Sequence, residues 1–293
     1  MKPLLIVPPS PARWQAVQEL FCHEETSWLG DLRKRLVTGI DGSQDALAVM
    51  PESAHALAGA CIRRRHDIGV LGHLFTRTDH RLRGHARLLM QTLLSWFDMT
   101  GGRWLYVTSP RELVAGLFEK FGFRLLRQKA GTSQERVTML RTPVRAGESP
   151  FEGADGPVHM RAVARSDWPL LVSLLQHHPG SDPRVSLEES ALTAEATALE
   201  LIDQQESGDC RLIAASRRKR IVGLGSVATG QAGPRTYAML LPHDHPPEGL
   251  RSNMLDFART RGYAQVDFPL EALAKTTAGG ASASALANSP PPP

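Results

Sequence analysis

The sequence predicts an α/β (α+β) protein, with a mixed, mostly antiparallel central sheet flanked by helices and a second, truncated unit of the same kind behind it. Three observations carry this. Through residues 1–142, short β-branched and aromatic runs alternate with helix-period stretches in the order β, α, α, three strands, α, β, α, β, β. A stretch rich in Pro, Gly and acids, without apolar periodicity, occupies residues 143–157 and divides the chain. Residues 158–270 then repeat the opening pattern.

Residues 4–7 read as a short strand interrupted by Pro8 and Pro9. An amphipathic helix over residues 11–23 gathers Trp14, Val17, Leu20 and Phe21 on one face, and a second helix covers 29–37. Strand-like runs at 46–50, 56–63 and 68–76 form an antiparallel meander. The strongest helix spans 84–97: Leu89, Leu93 and Phe97 recur at helical spacing beside Met90 and Leu94, and Gly101 and Gly102 end it. A compact strand at 104–108, a helix at 112–121 stopped by Gly122, and closing strands at 123–127 and 137–140 complete this half.

The second half offers a strand at 159–163, helices at 167–176 and 192–205, strands at 211–215, 221–228 and 236–241, a helix at 250–260 and a strand at 264–268. It is expected to occupy 158–274. From 275 to 293 the composition collapses to small residues and a closing run of prolines, which cannot bury enough apolar surface to fold, so a disordered tail is expected.

Composition narrows the function classes. The net charge of +4 comes from arginines spread along the chain, where a nucleic-acid binder would concentrate them, so no nucleic-acid partner is expected. No apolar stretch approaches membrane-spanning length and no secretory leader pattern opens the chain, so no membrane partner is expected and the cytoplasm is the expected compartment. Cys22, Cys61 and Cys210, odd in number and without pattern, read as small core residues. No metal site is expected: His243 and His245 lie in a Pro-rich turn of surface-loop character.

The chemistry gathers at the entrance of the strongest helix. Arg81, Leu82, Arg83, Gly84, His85 and Ala86 follow a strand and open a helix, so successive backbone N–H groups and the positive end of the helix dipole face one point. Gly84 permits close approach, Ala86 leaves the helix start uncrowded, and Arg81 and Arg83 add positive charge, which together suit a diphosphate. This R-x-x-G-x-A signature, with the strand order and the Ala115–Phe123 segment ending in Gly-Phe, resembles the GNAT superfamily of N-acyltransferases over residues 1–142.

That resemblance implies acetyl-CoA as cosubstrate and an amine as acceptor, with direct attack of the amine on the thioester. It places Leu74, Phe75 and Thr76 on the fourth strand, where splaying from the fifth exposes backbone groups to the pantetheine, and Phe118 against the cofactor. The tyrosine that often protonates the departing thiolate in that family corresponds here to Phe118, and an asparagine often found seven residues earlier corresponds to Arg111. The general acid is therefore absent, and Ser109 could place a water instead.

For the base, the aligned fourth-strand positions are Val70 and Gly72. The adjacent His73 faces the acceptor only if a bulge shifts the pleat. Glu24 and Glu25 lie where the family builds its acceptor pocket, and His73, Glu25 and Ser109 are the catalytic candidates. The second half likewise resembles the front of a GNAT domain, but Pro242–Gly249 replaces the phosphate loop with prolines and acids, which implies a degenerate, non-binding copy. A homodimer is compatible with the resemblance. The alternative to an acyltransferase is a regulatory module that binds acyl-CoA without turnover.

Overall fold

The computed structural model describes residues 2–24, 26–52, 55–110, 116–128, 136–142, 150, 156–177, 194–229, 236–241, 247, 249–260 and 266–267. The chain divides into two compact units. The first comprises Met1–Glu152 and Ala164–Gln176, the second Gly153–Val163 and His177–Pro293.

In the first unit the elements run β1 (Leu4–Ile6), α1 (Trp14–Leu20, entered through a 3-10 turn at Pro11–Arg13), α2 (Thr26–Thr38), β2 (Gln44–Glu52), β3 (His55–Arg65), β4 (Ile68–Thr76), α3 (His85–Met99), β5 (Trp104–Pro110), β6 (Phe123–Gln128) and β7 (Arg136–Arg141), joined later by α4 (Trp168–His177). The sheet order is β1-β2-β3-β4-β5-β7-β6. Every neighbouring pair is antiparallel except β4 with β5.

Two apolar layers hold this sheet. On one face Leu89, Met90, Leu93, Leu94 and Phe97 of α3 pack against Ala48, Met50, Ile62, Leu71, Leu105, Val107 and Met139. The opposite face buries Val17, Leu20, Phe21, Leu32 and Leu36 of α1, its end and α2 against Leu47, Val49 and Cys61. Alternation along β2 explains the division, since its even positions enter the first layer and its odd positions the second. Gly59 lets α1 approach closely: a Cβ there would lie 2.7 Å from Leu20 Cδ2.

The expected helix at 112–121 differs. Residues 111–115 lie outside the described residues, and Gly116–Phe118 form a turn leading into a 3-10 turn at Glu119–Phe121. The bonds run from the amide of Phe121 to the carbonyl of Phe118 and from Gly122 to Glu119, a spacing too tight for an α-helix. Phe118 and Phe123, both buried and 5.6 Å apart, pin the two ends of this turn. Cys22 also departs from expectation, being exposed while Cys61 and Cys210 are buried.

The helix expected to open the second half, α4, belongs to the first unit instead. It meets the sheet through polar contacts: Ser173 Oγ donates to Tyr106 Oη at 2.9 Å and Thr138 Oγ1 donates to Gln176 Oε1 at 3.0 Å. Trp168 through Gln176 are all buried, so the helix lacks a solvent face.

The second unit contains β8 (His159–Ala162), α5 (Ala194–Ser207), β9 (Cys210–Arg217), β10 (Arg220–Thr229), β11 (Thr236–Leu241), α6 (Leu250–Thr260) and β12 (Val266–Asp267). Its sheet order is β12-β11-β10-β9-β8, antiparallel except for the parallel β11–β12 pair. Met254, Leu250 and Ala258 of α6 pack on Ile213, Ala215 and Val227. Residues 242–246, with His243 and His245, and the 275–293 tail lie outside the described residues. Among the described residues no helix is long and apolar enough to cross a membrane.

Candidate active site

β4 and β5 begin as a parallel pair, Ile68 with Trp104, Gly69 with Leu105 and Val70 with Tyr106, and then part. The β5-facing edge of β4 from Leu71 to Thr76 therefore has no strand partner among the described residues, while its other edge stays paired to β3. An unpaired edge of this kind offers backbone donors and acceptors to an extended ligand.

Within that free stretch β4 carries a bulge. Gly59 pairs with Phe75 but Cys61 with Gly72, so Ala60 alone stands opposite both His73 and Leu74. His73 takes the left-handed conformation, φ +54°. Leu71 faces the α3 layer, and strict alternation would send His73 there as well. The bulge turns it to the opposite face, against Phe21 and Trp28.

There His73 Nδ1 lies 3.0 Å from Glu24 Oε1, and its Nε2 lies 3.5 Å from Arg63 Nη2. A guanidinium can only donate, so Nε2 bears the lone pair and Nδ1–H donates to Glu24. The His73 side chain is 8 % exposed and that of Glu24 28 %, so the carboxylate is the accessible member. Burial pushes the His73 pKa down, the Glu24 hydrogen bond opposes this, and the Arg63 charge adds to the depression. The hydrogen bond from His73 holds the Glu24 carboxyl below its ordinary value against the pull of burial. A neutral imidazole beside an ionised carboxylate results.

Behind the pair lies a buried ionic cluster. Asp31 Oδ2 accepts from Arg35 Nε at 2.7 Å and pairs with Arg63 Nη1 at 3.1 Å, while its Oδ1 accepts from Arg165 Nη1 at 2.9 Å. Arg35 also reaches Asp45 at 3.0 Å. Burial alone would raise the Asp31 pKa, but the charges of Arg63 and Arg35 and the hydrogen bonds from Arg35 and Arg165 outweigh it and hold the carboxyl well below the usual range. The carboxylates of Glu24, Asp31 and Asp45 balance the guanidiniums of Arg35, Arg63 and Arg165, a balance that requires His73 to be neutral.

At the end of β4 the chain makes a 3-10 turn at Thr78–His80 and enters α3 through a turn in which Leu82 and Gly84 take φ +62° and +81°. Arg81 Nε donates to the carbonyl of Thr76 at 3.2 Å, and Arg83 Nη2 to that of Asp79 at 3.1 Å, which fixes the turn against the strand. Among the described residues the amides of Leu82 to Arg87 find no backbone acceptor. A Cβ at Gly84 would meet nothing within 4 Å, and buried His85 Nδ1 has no partner. Arg81, Arg83 and Arg87 are exposed around these donors, so the turn can hold a multiply charged anion.

Residues 14–123 match the model of the Acetyltransferase (GNAT) family. Over that stretch the chain is similar to the family. This family transfers acyl groups from acetyl-CoA to amines. No curated protein matches the sequence. Similar solved structures include an acyl-CoA N-acyltransferase from Pseudomonas aeruginosa, 12 % identical, covering 48 % of this chain and 100 % of its own, TM-score 0.38. Another is an acetyltransferase of the GNAT family from Staphylococcus aureus, 10 % identical over 47 % of this chain and 99 % of its own, TM-score 0.37. An aminoglycoside 6'-N-acetyltransferase complexed with coenzyme A is 12 % identical over 50 % of this chain and 100 % of its own, TM-score 0.38.

The first unit gathers some of the sequence-predicted residues and disperses others. The turn from Arg81 to Ala86 offers amides without a backbone acceptor among the described residues, open space at Gly84 and exposed guanidiniums, a set that suits a diphosphate. On β4, Leu74 packs against the α3 layer and Phe75 against the α1–α2 layer, where His23 stacks on it at 4.1 Å. The Thr76 carbonyl is engaged by Arg81. Ser109 lies buried on β5 opposite Val137, beyond the point where the strands part. Phe118 is 3 % exposed in the core, edge-on to Phe123. Glu25 and Arg111 lie outside the described residues. Glu24, its neighbour, is the carboxylate that meets His73, which no local pattern in the sequence distinguishes from Glu25.

Proposed function

We propose that the GNAT domain is an N-acyltransferase that moves the acetyl group of acetyl-CoA to a cationic amine, with Glu24 as the group that meets the acceptor and His73 as the residue that positions it. The observation that carries this reading is the β4 bulge, which turns His73 under Glu24 on the stretch of strand that has left β5. The thioester would lie along that free edge, with the diphosphate on the Arg81–Ala86 turn. A backbone N–H of β4 is then available to the carbonyl oxygen as negative charge develops on it.

The nitrogen attacks the thioester carbon, the tetrahedral adduct collapses, the C–S bond breaks, and CoA departs as thiolate. A thiol of pKa about 8.5 leaves without a proton from the protein, which suits a core-buried Phe118. An acceptor amine of pKa about 10 arrives as ammonium, and the ionised Glu24 carboxylate attracts it. The ammonium first gives one proton to solvent, which frees the lone pair that attacks; once nitrogen bonds to carbon a second proton becomes acidic and passes to Glu24 and on to solvent. His73 cannot receive it directly, because its free lone pair points at Arg63. Ser109, on the other arm of the splay, is retained as a site for a positioned water.

We further infer that the second unit is a degenerate GNAT-like copy that does not bind acyl-CoA. Its support is the pairing order of its strands, which follows that of β1 to β5, and Gly249 at φ +80° standing before α6 as Gly84 stands before α3. The test of the main reading is calorimetric titration of acetyl-CoA, followed by thiol release over a panel of amines. Binding and turnover that is weakened by Glu24→Gln support it. Saturable binding without turnover on any amine would return the regulatory-module reading.

A further inference from the structure

The segment that joins the GNAT domain from beyond residue 157 reaches the Glu24–His73 pair through one intermediary. Arg63, on β3, puts Nη1 3.1 Å from Asp31 Oδ2 and Nη2 3.5 Å from His73 Nε2. Its guanidinium sits in a corner made by two indoles, 4.5 Å from the Trp28 ring and 4.8 Å from that of Trp168. The two rings meet edge to face, 5.7 Å apart at 88°, and Trp28 presents its other contact to His73 at 4.9 Å. Arg165, just ahead of Trp168, closes the cluster on Asp31 Oδ1.

We propose that Trp168, with Arg165, is a positioning residue for the Glu24–His73 pair and acts by holding Arg63 against His73 Nε2. A guanidinium held there forbids a proton on Nε2 and thereby directs Nδ1–H to Glu24, fixing the carboxylate. Cation–π contact with the buried Trp168 ring favours the guanidinium in its corner, and water reaching that corner would weaken the hold. Among the described residues the charged groups that act on His73 are Glu24 after α1, Arg63 on β3 and Asp31 on α2. Phe21 and Trp28 supply its apolar walls. Trp168 touches both Arg63 and Trp28, so a change at Trp168 reaches His73 through Arg63 or through the Trp28 ring.

The inference rests on the role proposed for Glu24 and His73, but its test needs no acceptor. Histidine-labelled full-length protein is titrated by nitrogen and carbon NMR, with the His73 signals identified by their loss in His73→Gln. The expected wild-type result is an Nδ1–H tautomer with a midpoint below the ordinary value of about 6.5. In Trp168→Leu the midpoint should rise by about one pH unit and the tautomers should mix, whereas Trp168→Phe, which keeps an aromatic face, should restore the wild-type pattern. An Nε2–H tautomer in the wild type overturns the proposal without any variant. So does an unchanged His73 in a folded Trp168→Leu protein. Absence of turnover with every amine would count against the acyltransferase reading alone and leave these signals intact.

Discussion

Arg165 Nη1 lies 2.9 Å from Asp31 Oδ1, an ion pair between residues 134 positions apart in which the carboxylate is buried and the guanidinium partly so. It ties the N-terminal part of the first unit to a segment that follows residue 157. With Trp168 over Arg63 and Ser173 on Tyr106, it makes residues 164–176 part of that unit's own interior.

Ending the chain at residue 150 should therefore leave Asp31 short of a partner and Tyr106, Thr108 and Thr138 uncovered. That fragment is expected to show a lower melting temperature and weakened near-ultraviolet circular dichroism. Extending it to residue 177 should recover much of both. Equal melting of the two fragments would refute the structural role of α4.

Asp31→Asn leaves the buried Arg35 and Arg63, and the partly buried Arg165, with one carboxylate fewer, and breaking such a cluster costs about 3–5 kcal/mol. The pH dependence has a definite sign. The folded-state pKa of Asp31 is depressed, so its contribution is whole above the unfolded value of about 3.9 and drains away as pH falls below it. Urea denaturation between pH 6 and pH 3 should show a steeper loss for wild type than for the variant over the acid end of that range.

The α3 face was legible because Leu89, Leu93 and Phe97 obey a local period, and Gly84 because a strand before it and a helix after it demand a tight turn. His73 was legible only as a conditional. Its orientation depends on two residues of β4 standing opposite one of β3, a register that no local pattern encodes. Helix α4 is legible as a helix but not as part of the first unit, since apolar periodicity says that a face will be buried but not against what. The choice between Glu24 and Glu25 turned on the last turn of a helix that ends at Leu20, three residues before the predicted end at His23.

Gly84→Glu should abolish measurable acetyl-CoA binding by calorimetry, because its carboxylate would project into the open space above the unpaired amides. Gly84→Ala is the milder control. A side chain at φ +81° costs about 1 kcal/mol, with a loss of affinity of about tenfold or less. Unchanged binding in the Glu variant would move the diphosphate away from this turn.

Glu24→Gln keeps the shape and the hydrogen bond from His73 but removes the charge that attracts an ammonium. A drop in kcat/KM of about a hundredfold is expected with cationic amines, within the range of general acid–base contributions. Because Glu24 is ionised from below its ordinary pKa upward, the wild-type rate between pH 6 and pH 9 should follow the acceptor's own deprotonation and show no separate step from Glu24. A step near neutrality that disappears with His73→Gln would instead make the imidazole the base.

Phe118→Tyr restores the hydroxyl that would protonate a departing thiolate elsewhere in the family, yet it should not raise kcat here. Phe118 is buried edge-on to Phe123, so the added oxygen enters an apolar layer with Leu105, Val107 and Phe97 rather than the gap between β4 and β5. A buried hydroxyl without a partner costs about 1–3 kcal/mol. Thermal denaturation should register that loss, and thiol release should proceed at the wild-type rate per folded molecule. A rise in kcat would place the ring at the thiolate and contradict the core position.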